Sequence, residues 1–278
     1  MTLTLILHAC KEINVIVICT AIRYIYRWAC LTYFSDRDMT LKILHIAPFF
    51  HGGVGTVALN LTKRFVEMGH EVVLASPAEI PVEIKEAVKY YRIRKPHLKD
   101  PFYVIQFHGL NYEKIKGILR LEKPDVILTH GPLVLTVSKA TRSIPIFSIV
   151  HGTYANEVKW MRYYPMSGFE KIIYITSIGT TYYMDMAIYR HVTRQDNAYL
   201  IAVSKNTKQE LVKAKALNTK IFPILNGVDK KVFKPINKDH ARSLIEEAFK
   251  RGLIILGAGI SALRIQPPLV IKEEHIDI

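Results

Sequence analysis

The segment His51-Gly52-Gly53-Val54-Gly55-Thr56 is the first place where residue types and spacing imply chemistry. Glycine lets backbone N–H groups approach a ligand closely, and a helix starting just behind it offers partial positive charge to a phosphate. Gly53 to Ala58 also reads as G-x-G-x-x-A. A dinucleotide site of that type needs an acid near the end of the second strand. Leu74-Ala75-Ser76 supplies none, and the next carboxylate is Glu79. Anion binding is therefore the favoured reading over dinucleotide binding or a bare tight turn. A second G-x-G-x-x-A, Gly257 to Ala262, precedes Pro267-Pro268, which stops any helix, and is treated as a decoy. Residues 154–194 mix Tyr154, Trp160, Tyr163, Tyr164, Tyr182, Tyr183 and Tyr189 with Lys159, Arg162, Arg190 and Arg194. Such a mixture suits an acidic lipid interface, single-stranded nucleic acid, or simply half-buried helix faces.

These residues need a scaffold. The chain has 278 residues, enough for one large domain or two ordinary ones, with 50% hydrophobic and 22% charged residues. Disorder, collagen and low-complexity classes are excluded. The net charge is +14, and residues 39–235 hold 28 basic and 15 acidic groups, so anionic partners are expected of that segment. Cys10, Cys19 and Cys30 are the only cysteines, which argues against a disulfide framework or a zinc site. Residues 13–34 are long and apolar, but Arg23 and Arg27 lie near their middle. Two central arginines cost roughly 5–7 kcal/mol on insertion, so spanning is unfavourable. Lys11 and Glu12 spoil a secretory signal. Residues 1–38 are expected to be an extension outside the fold, with an interfacial helix as the alternative.

From Met39 short apolar runs alternate with helical patterns. Strands are expected at 42–50, 70–77, Asp125–Thr129, Ile144–Val150, Lys171–Thr176 and Tyr199–Val203. A helix carrying Val54, Val57, Ala58, Leu61, Phe65 and Met68 ends at Gly69, and others are expected over Tyr112–Leu121, Leu133–Thr141 and Thr207–Leu217. The fold class is α/β, a doubly wound, Rossmann-like parallel sheet. Ligands of such sheets bind beyond the carboxyl ends of the strands. His51–Gly55, Ser76–Pro77, His130–Gly131, His151–Gly152 and Ser204 occupy those ends.

Three stretches resemble the N-terminal half of family 4 glycosyltransferases, which have the GT-B fold. They are Pro48 to Gly55 with Leu59 and Leu61 behind; Gly69-His70-Glu71-Val72; and Tyr199 to Ser204 followed by Asn226-Gly227-Val228-Asp229, Phe233 and Pro235. The match spans about 39–235. It implies transfer of a sugar from a nucleotide-sugar donor with retention at the anomeric carbon, with no cofactor or bound metal. Gly52, Gly53 and Gly55 would lie against the donor diphosphate and stabilise the leaving charge. His151 would sit near the acceptor hydroxyl and the transferring sugar, as a group able to donate or accept near neutral pH. His130 and Tyr154 are secondary candidates on the acceptor side. Asn226 and Asp229 would belong to the crossover toward the second half.

The second half of that fold carries the nucleotide pocket, and only 43 residues follow Pro235. Those residues lack the family's two glutamates eight positions apart. Residues 250–277 instead resemble the C-terminus of class III pyridoxal-phosphate aminotransferases, with Arg264 at that family's carboxylate-holding arginine, but no aminotransferase activity follows without its lysine. The expectation is a fused or truncated chain: 1–38 an extension, 39–235 the acceptor-side domain, 236–278 an incompletely packed tail. The implied partners are a nucleotide-sugar donor, a sugar or lipid-linked acceptor, a peripheral membrane surface and a second chain supplying the missing half; nucleic acid is not favoured. The expected location is cytoplasmic, with peripheral contact at the inner membrane face as the alternative. The rival readings are a non-catalytic module binding anions or lipid surfaces, and a dinucleotide-dependent oxidoreductase.

Overall fold

Short runs of Ile, Leu and Val make strands here because each is buried on both faces, which leaves no polar alternation. The computed structural model describes residues 40–160, 167–226, 238–250, 256–257 and 263–264. Its first unit ends at Asn226. Seven strands build the sheet: β1 Lys42–Ile46, β2 Glu71–Ser76, β3 Lys89–Arg92, β4 Val126–His130, β5 Ile146–Val150, β6 Ala198–Ala202 and β7 Ile221–Pro223. They lie in the order β3-β2-β1-β4-β5-β6-β7. Every pairing is parallel, with Ile43 opposite Val72 on one side and Val126 on the other. The order reverses between β1 and β4, the position where open α/β sheets hold ligands.

Helices cover both faces. Helix α1, Gly52–Glu67, packs Leu61 and Phe65 on Ile43, Val126, Leu128, Phe147 and Ile149. The opposite face, with Leu44, Ile46, Ile127 and Val150, is covered by α2 (Tyr103–Glu122), α3 (Val134–Ala140) and α5 (Gly168–Val192). The short α4, Ala155–Trp160, and α6, Lys205–Lys213, complete the layers. Helix α1 ends as expected at Gly69, whose φ of 81° lets Gly69 and His70 donate back to the carbonyls of Val66 and Phe65.

One expected strand is a helix. Lys171–Thr176 lies inside α5, although its Ile-Ile-Tyr-Ile run favours extended backbone. The sheet has no vacancy for it, because β5 pairs directly with β6. Downstream, Thr181, Asp185, Met186, Ile188, Tyr189 and Val192 are buried at helical spacing and carry the whole segment into one helix. Conversely β3 and β7 were not expected from the sequence. They are four and three residues long, lie at the sheet edges, and are too short or polar to register as apolar runs.

The amino edge of the sheet is tied by one carboxylate. Glu122, with a side chain 2% exposed, pairs with Lys89 at 2.7 Å and Lys42 at 3.2 Å and accepts from the Tyr91 hydroxyl. Lys89, then Tyr91 and Lys42, pull its pKa from 4.5 to about 2. Its contribution is thus present above pH 4.5 and lost as pH falls toward 2. Glu122→Gln is expected to lower unfolding free energy by about 3 kcal/mol at pH 7. Urea titration checks this, and the gap between variant and wild type should close toward pH 2.

The second unit runs from Gly227 to Ile278. Within it are the helix α7, Lys238–Lys250, and an antiparallel pair, β8 Leu256–Gly257 with β9 Leu263–Arg264. The extension 1–38 with its three cysteines, the motif residues Gly227 to Pro235, most of the second G-x-G-x-x-A and the rest of the tail lie outside the described residues.

Candidate functional site at the carboxyl edge of the sheet

Beyond β1 the chain turns through Pro48 to His51 into α1, so the glycine loop sits at the reversal of strand order. The three glycines differ in what they permit. Gly52 has a φ of 64°, a left-handed conformation, with nothing within 4 Å of a would-be Cβ. Gly53 is exposed and equally open. Gly55 is buried, and a Cβ there would meet Phe50 C at 2.5 Å and Phe50 Cα at 2.8 Å. Gly55 therefore serves close packing of α1 on the strand exit, while Gly52 and Gly53 keep the mouth open. No N-cap side chain bonds to the first turn of α1, and no acid lies in that turn, so the turn's own residues leave its N–H donors and partial positive charge uncompensated.

Histidines from three neighbouring strands meet behind this loop. His45 lies within β1, His130 ends β4, and His151 follows β5. All three share the sheet face covered by α1, since each follows the buried pairs Leu41/Ile43, Val126/Leu128 and Phe147/Ile149 at the period of two. His45 Nε2 lies 2.8 Å from His130 Nε2, and His130 Nδ1 lies 2.8 Å from His151 Nε2. The His130 and His151 rings stack at 5.1 Å with an 11° tilt. At the inner end His45 Nδ1 is 2.9 Å from Thr62 Oγ1, and Thr62 donates to the Ala58 carbonyl at 2.9 Å. Burial disfavours the charged form of each ring: His45 falls to about 3, His151 to about 4, and His130 well below its ordinary value. All three are neutral at pH 7.

His130 is 3% exposed, and both of its ring nitrogens are engaged by the neighbouring histidines. His151 is partly exposed, and its Nδ1 bonds to no described residue. Tyr154 precedes α4 and donates its hydroxyl proton to Asp100 at 2.9 Å; burial, and then the charge and hydrogen bond of Asp100, raise its pKa. That proton is engaged within the protein.

Sequence reasoning missed His45, Thr62 and Asp185. A histidine inside the apolar run Lys42-Ile43-Leu44-His45-Ile46 was the available signal for the first. Asp185, on α5, is buried, and burial together with the charge of Asp100 raises its pKa from 3.8 to about 7. Between those values the unfolded chain has released the proton that the folded chain keeps, so this group lowers stability as pH rises toward 7. Asp185→Asn should therefore raise unfolding free energy by roughly 2–4 kcal/mol at pH 8 and by little at pH 4, read from urea titrations at the two pH values.

A separate cleft of about 560 Å³ lies past the ends of β2 and β3. Arg92, Arg94, Lys95, His97 and Lys114 line it, and Asn111 and Gln106 of α2 hold its loop by hydrogen bonds to Arg94, His97 and Leu98. Part of the positive charge is thus concentrated at the carboxyl edge. Among the described residues, no three His, Cys, Asp or Glu gather as a metal cluster, and no helix is long and apolar enough to cross a membrane.

No curated protein matches the sequence significantly. Solved structures similar to it include a glycosyltransferase from Rickettsia africae ESF-5, at 19% identity over 76% of this chain and 50% of that one, TM-score 0.46. Sucrose-phosphate synthase from Thermosynechococcus elongatus is similar at 15% identity over 74% and 52%, TM-score 0.48. Anabaena HepE in complex with UDP-glucose is similar at 11% identity over 76% and 50%, TM-score 0.46. The chain spans about half the length of these proteins. The family model for Glycosyltransferase Family 4 matches residues 51–232, a span that starts at the glycine loop and takes in both His130 and His151. With its parallel sheet and that match over more than half its length, the chain belongs to glycosyltransferase family 4.

Proposed function

We propose that residues 39–235 form the acceptor-side half of a retaining glycosyltransferase that uses a nucleotide-sugar donor. The observation that carries this reading is the open, anion-ready turn at Gly52 and Gly53, placed where the strand order reverses. The donor diphosphate lies against that turn, whose N–H groups stabilise the charge left when the bond between the anomeric carbon and phosphate oxygen breaks. The acceptor hydroxyl oxygen forms the new bond on the same face of the sugar, and its proton passes to the departing phosphate oxygen. His151 faces the sugar, and the basic cleft draws acceptors bearing negative charge to the same edge. The nucleotide is held by a second domain of the GT-B type, within this chain's assembly or on another chain.

The test is transfer of radiolabel from mixed nucleotide sugars to a lipid extract by the full chain, alongside nucleotide-sugar titration followed by ³¹P resonance. Perturbed diphosphate signals are expected, with little turnover by the chain alone. Salt-sensitive binding to anionic vesicles, with no diphosphate perturbation and no transfer, overturns the enzyme reading in favour of a surface-binding module.

One observation favours membrane contact by the same half. Phe169, Ile172 and Ile173, at the start of α5, are 75%, 63% and 54% exposed. Exposed apolar residues gathered on one helix turn suit a lipid interface. Phe169→Asp with Ile172→Asp is expected to weaken co-sedimentation with phosphatidylglycerol vesicles about tenfold or more without loss of folding, measured by circular dichroism. Unchanged sedimentation would remove the lipid surface as the partner of this patch.

A further inference from the structure

The buried row of side chains behind His151 can carry its protons in two directions, and one of them makes one more hydrogen bond than the other. If Thr62 gave its single hydroxyl hydrogen to His45 Nδ1, its contact with the Ala58 carbonyl would go unused, so the direction that uses every contact points that hydrogen to Ala58. Thr62 Oγ1 must then accept from His45, which places a proton on His45 Nδ1. A neutral imidazole carries one proton, so His45 Nε2 is bare and accepts from His130 Nε2–H. His130 Nδ1 is bare in turn and accepts from His151 Nε2–H. The last ring is left with its proton facing inward and a lone pair on Nδ1.

We propose that Thr62, His45 and His130 are positioning residues that set the tautomer of His151, so that its outward Nδ1 is an acceptor. This deepens the glycosyltransferase reading and rests on it for the identity of the ligand. A lone pair at that position receives a hydroxyl or another O–H or N–H donor and repels a phosphate oxygen. His151 is thereby matched to a sugar hydroxyl, and the diphosphate is left to the glycine loop. The message originates at a threonine on α1 and crosses β1 and β4 before reaching the crevice.

The arrangement has a switch that can be thrown without touching His151. In Thr62→Val, His45 Nδ1–H loses its only acceptor among the described residues. The row relaxes by reversing every bond: His45 Nε2–H to His130 Nε2, His130 Nδ1–H to His151 Nε2, and a proton outward on His151 Nδ1. Thr62→Ser keeps the original direction.

The experiment is ¹⁵N-detected NMR of the full chain labelled on histidine at pH 7, with His151 assigned by the signals missing from His151→Asn. In wild type a pyridine-type shift is expected for His151 Nδ1 and a pyrrole-type shift for Nε2. Thr62→Val should move the two toward each other or exchange them, and Thr62→Ser should restore the wild-type pattern. A pyrrole-type Nδ1 in wild type overturns the proposal, and that measurement stands even if Thr62→Val fails to fold. A spectrum unchanged in a folded Thr62→Val overturns it as well. Nucleotide-sugar affinity is read separately: a loss of about tenfold in Thr62→Val, recovered in Thr62→Ser, is expected for one inverted hydrogen bond. If the shifts follow the scheme but no nucleotide sugar binds, the tautomer row holds and the transferase reading fails.

Discussion

Between pH 7 and 5 the buried histidines are expected to remove several kcal/mol of stability from this protein. His45 and His151 titrate at about 3 and about 4 when folded, against 6.5 when exposed, so between those values the unfolded chain binds protons that the folded chain refuses. Each contributes a loss of about 1.4 kcal/mol per pH unit below 6.5, which comes to roughly 4 kcal/mol at pH 5 for these two together. The loss due to His151 levels off near pH 4 and that due to His45 near pH 3. His130 shifts in the same direction and adds to it. Against a typical domain stability of about 5–15 kcal/mol, this is enough to bring acid unfolding above the carboxylate range. Urea titrations at half-unit intervals from pH 7.5 to 4.5 should show stability falling below pH 6.5, with about 2 kcal/mol of the loss between pH 7 and 5 offset by the proton that Asp185 keeps when folded. His45→Phe, which has no proton to take up, should flatten the slope by about 1.4 kcal/mol per unit, whatever it does to absolute stability. An unchanged slope in that variant would show that the rings do not stay neutral through this interval.

Substitution of two glycines two residues apart should give opposite results. Gly55→Ala places a methyl group 2.5 Å from a backbone carbon of Phe50, which cannot move aside as a side-chain tip could. A loss of about 3 kcal/mol is expected, and the loop would shift with it. Gly53→Ala meets nothing within 4 Å and needs no left-handed backbone, so stability should hold or rise by up to about 1 kcal/mol. The added methyl nevertheless stands in the open mouth of α1. Diphosphate affinity should therefore fall, by about tenfold or more, only where folding is intact. Isothermal titration with a nucleotide sugar, paired with thermal melts, separates the two effects. Wild-type affinity in Gly53→Ala would show that no anion approaches this turn closely.

How much could be read from the sequence depends on the range of the interaction that decides each feature. β1, β2, β4, β5 and β6 were legible because burial on both faces writes a continuous apolar run. The Gly69 cap was legible because a left-handed residue after a helical period has few alternatives. The Ile-rich run at 171–176 misled because its extended preference is weaker than the packing of the sixteen residues that follow it in α5. Strand ends pointed to His130 and His151 as positions, yet could not say that one is sealed and the other is not.

By itself, then, the sequence determined the five central strands of the sheet, the glycine turn, the positive charge and the family. Only the tertiary structure decided which face of the sheet each histidine occupies and with whom it bonds. The contacts that orient His151 join residues 17, 85 and 21 positions apart. Their existence depends on β4 inserting beside β1 and on α1 folding back over both. Local periodicity records the pitch of each element but carries no information about its neighbours.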